Sequence, residues 1–393
     1  MNSSTSPKVS RIIDSIVTEY EVFFNAYREA FHETIARTDL IFSNSSYLPE
    51  FSTLRIINDE AVSFGGGRRK RMRIFEKDEI FPCIFGVVTI PKRRKEGHAS
   101  HVVKTLVKKA YDFCYNVIMI SANSERIDLI NFYKKFGFTD FSYQKSLPFV
   151  NLFKKGFDNI QEVTRDKIND KDYEEICRLV NEYTKGYKVT LQRDIEFTKN
   201  KVEGIFADNG RLFFLSKDGK NYGYFLLRKG EVEENVILGE DEPNEEENII
   251  KNKFIENKLE DVFGILKDKN IERTATAEES GKCIPKRGAF TLIRIVNPKN
   301  FMKKYMDYIY SGDGEVETFS KNITVEDSII GDCSFNIKKN GNDFEFSEEL
   351  DNSAIDNITI TISDFTKTIF EKFLNNNTYG YLIENKIFFC ENW

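Results

Sequence analysis

Residues Val87 to Phe138 read VVTIPKRRKEGHASHVVKTLVKKAYDFCYNVIMISANSERIDLINFYKKFGF, and few folds accept that order of signals. The β-branched run Ile84 to Ile90 predicts a buried strand. Pro91 ends it, because proline brings no N–H to a strand ladder. Arg94-Lys95-Glu96-Gly97-His98-Ala99 follows, an R-x-x-G-x-A loop. The next apolar positions, Val102, Val103, Leu106, Val107, Ala110, Phe113 and Cys114, keep the i, i+3, i+4, i+7 spacing of a helix lying on a sheet. Val117 to Ile120 is a second strand, so the unit is strand, loop, helix, strand: an α/β arrangement.

The loop has a definite chemistry. A glycine at the start of a helix lets backbone approach a ligand closely. The first helical N–H groups have no partner inside the helix and carry the positive end of its dipole, so together they hold a phosphate or pyrophosphate. Arg94 and Lys95 add positive charge at the same place. A plain helix start with incidental basic residues is the simpler explanation. It leaves unexplained both the proline six residues before Gly97 and the downstream Asn-Phe-Tyr-Lys-Lys-Phe-Gly-Phe.

Taken together, Val87 to Ala99 (V-x-x-x-P-x-x-R-x-x-G-x-A) and Phe132 to Phe138 (FYKKFGF) resemble the acetyl-CoA site of the GNAT N-acetyltransferase superfamily. The resemblance implies that the strand splays from its neighbour and holds the pantetheine through the backbone of Val87, Val88 and Thr89. It implies a pyrophosphate loop of Arg93, Arg94, Lys95, Gly97, His98 and Ala99, with Asn123 helping to hold the pantetheine. The run between Asn123 and Tyr133 is a few residues longer than the common pattern.

Composition narrows the function classes. The chain has 393 residues, enough for two or three domains. A net charge of −6 argues against a nucleic-acid binder held by phosphate contacts. No apolar run approaches membrane-spanning length, and the start, MNSSTSPKVSRIID, lacks the apolar core of a signal peptide. Cys83, Cys114, Cys177, Cys283, Cys333 and Cys390 form no C-x-x-C and read as reduced, mostly buried thiols of a cytoplasmic protein. His98, His101 and remote His32 have no clustered cysteine or carboxylate partners, so no metal site is expected.

Along the chain, Ile12 to Thr38 predicts a helix and Phe42 to Glu50 a loop, with strands at Ser52 to Asn58 and Ala61 to Phe64. Gly65-Gly66-Gly67-Arg68-Arg69-Lys70-Arg71-Met72-Arg73 reads either as a phosphate- or RNA-binding patch or as a solvated hairpin leading into a strand from Met72 to Phe75. The hairpin is preferred, because no Gly-Lys-Ser/Thr follows. Asp170 to Tyr183 predicts a helix, and Leu212 to Ser216, Asp218-Gly219 and Tyr222 to Lys229 predict strand, turn, strand. No second R-x-x-G-x-A follows. The acidic run Glu231 to Asn248 reads as a mobile surface loop; the alternative is a wall that attracts cationic amines. Further predictions are a helix at Ile249 to Lys269, strands at Ile271 to Thr276 and Phe290 to Val296, a turn at Pro285 to Arg287, and a helix from Pro298 to Tyr310. Short strands and turns follow Ser320, then a strand at Ile358 to Ile362 and a helix capped by Asp364.

This layout resembles the Eis-like (enhanced intracellular survival) branch of the superfamily, through the FTLIRIV strand, the ISDFTKTIF segment and the aromatic terminus. It implies tandem GNAT folds of mixed α/β sheets, the second degenerate, plus a C-terminal sterol-carrier-like α/β domain. The ranges would be 1–150, 151–298 and 299–393. Acetyl transfer to an amine needs a base for the amine proton and an acid or hydrogen-bond donor for the departing thiolate. The resemblance makes Tyr133 the general acid; the plainer reading is a tyrosine that packs on the pantetheine. It makes the C-terminal carboxylate of Trp393 the base, where relatives often carry phenylalanine. The implied co-substrate is acetyl-CoA, and the acceptor is a primary amine on an aminoglycoside, polyamine or lysine. The resemblance also leaves a homo-oligomer open. The competing expectation is a non-enzymatic protein that senses acyl-CoA or holds a lipid in the sterol-carrier-like domain.

Overall fold

The structure, a computed structural model, describes residues 10–13, 20–31, 35–43, 45–74, 76–123, 126–143, 159–183, 189–228, 231–238, 289–310, 318–341 and 343–375. They fall into two compact units: the described residues up to Tyr143 together with those from Ala289 onward, and those of 159–238. The fold is mixed α/β, and no described helix is long and apolar enough to cross a membrane. The expected elements at Ile249–Lys269, Ile271–Thr276 and Pro285–Arg287 lie outside the described residues, as does Trp393.

The first unit begins with β1 (Ser10–Ile13), α1 (Tyr20–Phe31) and α2 (Ile35–Ser43). The single helix expected over Ile12 to Thr38 is therefore not formed: Ile12 and Ile13 pair with Arg55 and Leu54 across a ladder. Strands β2 (Tyr47–Ile57), β3 (Glu60–Ile74) and β4 (Lys77–Thr89) form an antiparallel meander. The loop expected at Phe42 to Glu50 is instead the end of α2 and the start of β2. Pro49 falls in a register slip between Leu48 and Thr53, where no ladder N–H is required of it.

The solvated hairpin expected at Gly65 to Arg73 is also overturned. These residues form the interior of β3, flanked by β2 and β4. The glycines are there because neighbours fill the Cβ positions: Val102 and Leu106 at Gly65, Phe85 and Ser52 at Gly66, Phe51 at Gly67. The basic residues obey the strand period, with Arg68 and Lys70 buried and Arg69 and Arg71 exposed. Next come α3 (His98–Asp112), β5 (Val117–Asn123), α4 (Ile127–Lys134) and β6 (Thr139–Tyr143). The buried stripe of α3, Val102, Val103, Leu106, Val107 and Ala110, packs with Ile118 and Ile120 of β5 in one core.

The second unit contains β7 (Asn159–Val163), α5 (Asp170–Tyr183), β8 (Val189–Leu191), α6 (Ile195–Ala207), β9 (Arg211–Lys217), β10 (Lys220–Arg228) and β11 (Glu231–Ile237). Its sheet runs β11-β10-β9-β7, all antiparallel, with a core of α5 and α6 residues against Leu212, Phe214, Tyr224 and Leu226. The start of the acidic run is not a surface loop but β11, and Glu234 is only 2% exposed. Its carboxylate takes Arg193 Nη2 at 2.7 Å, Lys201 Nζ at 2.6 Å and the Tyr224 hydroxyl. Burial alone would push this carboxyl up; the two cations reverse that and hold it well below the usual carboxylate range.

The chain then returns to the first unit. β12 (Ala289–Ile295), placed by sequence at the end of the second domain, pairs antiparallel with both β5 and β6. The main sheet thus contains the path β1-β2-β3-β4-β5-β12-β6. α7 (Pro298–Tyr310) follows, then β13 (Thr318–Glu326), β14 (Cys333–Asn340), β15 (Asp343–Ser347), β16 (Asp356–Thr361) and α8 (Ile362–Asn375). Their sheet has the order β15-β14-β13-β16, with β13 and β16 parallel. Aromatic rings of α7 and α8 fill its apolar face: Phe335 meets Phe365 and Phe346, Phe301 meets Phe370, and Tyr310 meets Phe344. The cap of α8 is Thr361, not Asp364. The Thr361 hydroxyl accepts the Asp364 N–H at 3.2 Å and donates to its carboxylate at 2.7 Å, a reciprocal pair three residues apart.

Candidate active site

The site begins with a fault in β4. Phe64 of β3 faces Val88, but Gly66 faces Phe85, so Gly86 and Val87 together oppose Gly65. The extra residue is a bulge, and Gly86 takes it up at φ +62°, where a Cβ would lie 2.8 Å from the Tyr27 ring. Bulges bend the strand that carries them. β4 pairs with parallel β5 only at Cys83–Met119 and Ile84–Ile120. On its other side β5 stays paired with β12 as far as Asn123–Ala289. From Phe85 to Thr89, then, β4 is paired with β3 but opens away from β5. Val87, Val88 and Thr89 lie on this diverging stretch, and Asn123 ends the opposite strand. The Val88 carbonyl accepts the Ser63 hydroxyl at 2.7 Å, which steadies the strand from the β3 side.

The diverging strand runs straight into the basic loop. Pro91–Arg93 is a 3-10 turn with proline at its first position. Arg94 Nε donates to the Thr89 carbonyl at 3.2 Å, folding the loop back on the strand end. Lys95 (φ +68°) and Gly97 (φ +83°) are both left-handed, and Gly97 is the N-cap of α3 without any side-chain cap. A Cβ at Gly97 would meet nothing within 4 Å, so glycine answers the backbone angle and leaves open space beyond. The first intrahelical bond runs from the His101 N–H to the Gly97 carbonyl at 3.2 Å. The N–H groups of His98, Ala99 and Ser100 precede it and have no intrahelical acceptor.

Four cationic side chains share this loop: Arg93, half-buried, and Lys92, Arg94 and Lys95, exposed, with Lys92 paired to Glu60. Sequence reasoning missed the part played by Glu96. Its carboxylate lies 3.2 Å from Arg93 Nη2 and 3.3 Å from His98 Nε2. The His98 ring is 4% exposed and its Nδ1 has no hydrogen-bond partner. Ala99 is half-buried on the first turn. These groups fit an anionic ligand: an open backbone cradle, helix-start N–H groups and a cation already holding a carboxylate.

Tyr133 lies on α4 and is 6% exposed. It shares one core with Val102 and Leu106 of α3 and with Ile120 and Ala122 of β5, and Val87 packs on the same core. The Phe132 and Phe138 rings stand 5.1 and 6.3 Å from it. Burial pushes its phenol well above the usual tyrosine range, and the Arg126 cation opposes this. Tyr133 is therefore a neutral O–H donor at any working pH, and releasing its proton is harder than for an exposed tyrosine. The missed Gly86 had a readable signal, an isolated glycine within a β-branched run.

Comparison with known proteins agrees with this geometry. Residues 14–138 match the profile of the acetyltransferase (GNAT) family. No curated protein matches the sequence significantly. Among solved structures, a conserved protein of unknown function from Enterococcus faecalis V583, described as a probable N-acyltransferase, superposes with a TM-score of 0.64 at 14% identity, over 92% of this chain and 89% of that one. A GCN5-related N-acetyltransferase from Kribbella flavida gives 0.57 at 13% identity, over 93% and 89%. Eis1 from Mycobacterium abscessus gives 0.50 at 11% identity, over 91% and 88%. At these identities the likeness is one of fold. The β4–β5 divergence and the left-handed Gly97 loop both lie within residues 14–138, the stretch that matches the acetyltransferase (GNAT) family profile.

Proposed function

We propose that the protein transfers an acetyl group from acetyl-CoA directly to a primary amine. The observation that carries this reading is the parting of β4 from β5 immediately before the Arg93–Ala99 loop. The parted edge offers backbone groups of Val87 and Thr89 to the amides of a pantetheine arm, while Val88 of the same stretch turns its backbone to β3, where its carbonyl takes the Ser63 hydroxyl. The loop offers N–H groups and cations to a pyrophosphate. In the transfer, the amine nitrogen bonds to the acetyl carbon, the carbon–sulfur bond breaks, and the amine gives up a proton. Tyr133 is the acid: its O–H hydrogen-bonds the sulfur as negative charge develops there, and the proton follows as the thiol leaves. For the base, the reading carries over the α-carboxylate of Trp393 from the Eis-like resemblance.

Aminoglycosides, polyamines and lysine side chains are all acceptors of the required kind. Glu234 cannot draw such cations, because Arg193 and Lys201 already hold its carboxylate. The test is release of CoA thiol from acetyl-CoA against a panel of those three acceptor classes. It uses the wild type, Tyr133→Phe and a version extended by two residues after Trp393. Loss of turnover in both variants supports the acid and the base; loss in Tyr133→Phe alone removes Trp393 from the mechanism. Tight acetyl-CoA binding without turnover on any amine would favour an acyl-CoA-sensing protein instead.

A further inference from the structure

Arg294 of β12 is the largest fully buried side chain in the molecule's described residues, at 0% exposure. One Nη donates to the Asp327 carboxylate and the other to the backbone carbonyl of Phe136, while Nε has no partner. A guanidinium withdrawn from water with one donor unbonded is costly, and a residue needed only to fill space would be apolar. Asp327 is itself immobilised: its other oxygen accepts the N–H groups of Ile329 at 2.9 Å and Ile330 at 3.3 Å, and its own N–H donates to Asp332 at 2.8 Å.

The Phe136 carbonyl is not an arbitrary acceptor. Phe136 N–H donates to the Tyr133 carbonyl at 2.9 Å, and Gly137 N–H to that of Lys134 at 3.1 Å, so these bonds close the C-terminal turn of α4. The next residue, Gly137, is left-handed at φ +80°, and a Cβ there would lie on Arg294 Nη1 and 2.7 Å from Ile362 Cγ2. The glycine of the FGF sequence thus makes room for the guanidinium. Two bonds lead from Arg294 to the backbone of Tyr133.

We propose that Arg294, oriented by Asp327, is a positioning residue for acetyl transfer: it fixes the turn that ends α4 and so sets where the Tyr133 phenol stands. The proposal rests on the reading of Tyr133 as the acid. It also gives β12 and the 327–332 turn a part in catalysis, although neither contributes a group to the reacting atoms.

The test is a double-mutant cycle in the full chain: wild type, Arg294→Lys, Tyr133→Phe and the double variant, with Asp327→Asn as a second route to the same contact. Rates are expressed per acetyl-CoA-binding site, so that unfolded protein does not count. The expected result is a kcat lowered by ~10- to 100-fold in Arg294→Lys, the scale of a small misplacement of a reacting group. The KM for acetyl-CoA stays within about twofold and Asp327→Asn behaves alike, because neither residue belongs to the loop. In the Tyr133→Phe background the Arg294 effect should vanish, since a residue acting through another is not additive with it. Equal losses in both backgrounds, or an unchanged kcat in Arg294→Lys, would overturn the proposal. An unchanged kcat in Tyr133→Phe would remove the Tyr133 reading and the proposal with it, and that failure is visible without Arg294.

Discussion

Two left-handed glycines, Gly97 and Gly137, separate the cost of a backbone angle from the cost of its surroundings. At φ +83° and +80° an alanine pays a similar conformational penalty, about 1–2 kcal/mol. Roughly 0.4–1 kcal/mol of it is recovered because alanine restricts the unfolded chain. Around Gly97 nothing lies within 4 Å of the added methyl, so Gly97→Ala should lose no more than ~1.5 kcal/mol. In a unit this large that is a fall of about 3–6 °C in melting midpoint. Around Gly137 the methyl meets Arg294 and Ile362, adding about 1–3 kcal/mol of overpacking. The ranking reverses for ligand binding. The Gly97 methyl projects into the space where the loop faces solvent, and acetyl-CoA affinity should drop by ~10-fold or more, about 1.4 kcal/mol. Thermal melts with and without acetyl-CoA read both quantities. Equal destabilisation by the two alanines would refute the steric reasoning, and wild-type affinity in Gly97→Ala would refute the placing of pyrophosphate on this loop.

Glu96→Gln should tighten acetyl-CoA binding severalfold at low salt, because it removes the carboxylate that competes for Arg93; titration calorimetry showing no change would mean that Arg93 does not reach the ligand. Glu234→Gln should destabilise the second unit by about 3–5 kcal/mol, as expected when a buried charged group loses its counter-ion. Because the folded-state carboxyl is depressed, its contribution is present above the ordinary value of 4.5 and is lost as pH falls below it. Wild-type melting should therefore drop on acidification through that range, while the glutamine variant changes less. Burial pushes the Cys333 thiol up to about 11, leaving a thiolate fraction of ~10⁻³ at pH 8. Exposed Cys114 should be alkylated before Cys333, and mass mapping that finds Cys333 labelled equally fast would contradict its placement.

What the sequence revealed follows the range of each signal. The loop and start of α3 were legible because proline, glycine and the heptad-like apolar spacing are local instructions. So was α5, read as Asp170 to Tyr183 and found there. The basic stretch from Arg68 to Arg73 misled because a charge run usually marks solvent, and only the alternation of buried Arg68 and Lys70 with exposed Arg69 and Arg71 marks a strand. Glu234 misled in the same way: its composition is that of a loop, but Arg193 and Lys201 lie 41 and 33 residues earlier and no local pattern announces them. The bond from Arg294 to Phe136 spans 158 residues. In the candidate site, the residues of the loop were named from motif alone and Gly86 carried a local signal that went unread, whereas Glu96 and Arg294 required the three-dimensional arrangement.

The place of β12 sets a timetable for synthesis. β6 finds its partner in the main sheet only through β12, and the outer edge of β5 is covered by the same strand. At about 5–20 residues per second, a ribosome needs roughly 7–30 s to pass from the end of β6 to the start of β12. Through that interval the half-built sheet around the Gly97 loop presents an apolar, unpaired edge at β5, the kind of edge to which other chains add. A gene fragment cut to the stretch that matches the family profile would keep that edge for good, and is a poor candidate for expression as an independent enzyme.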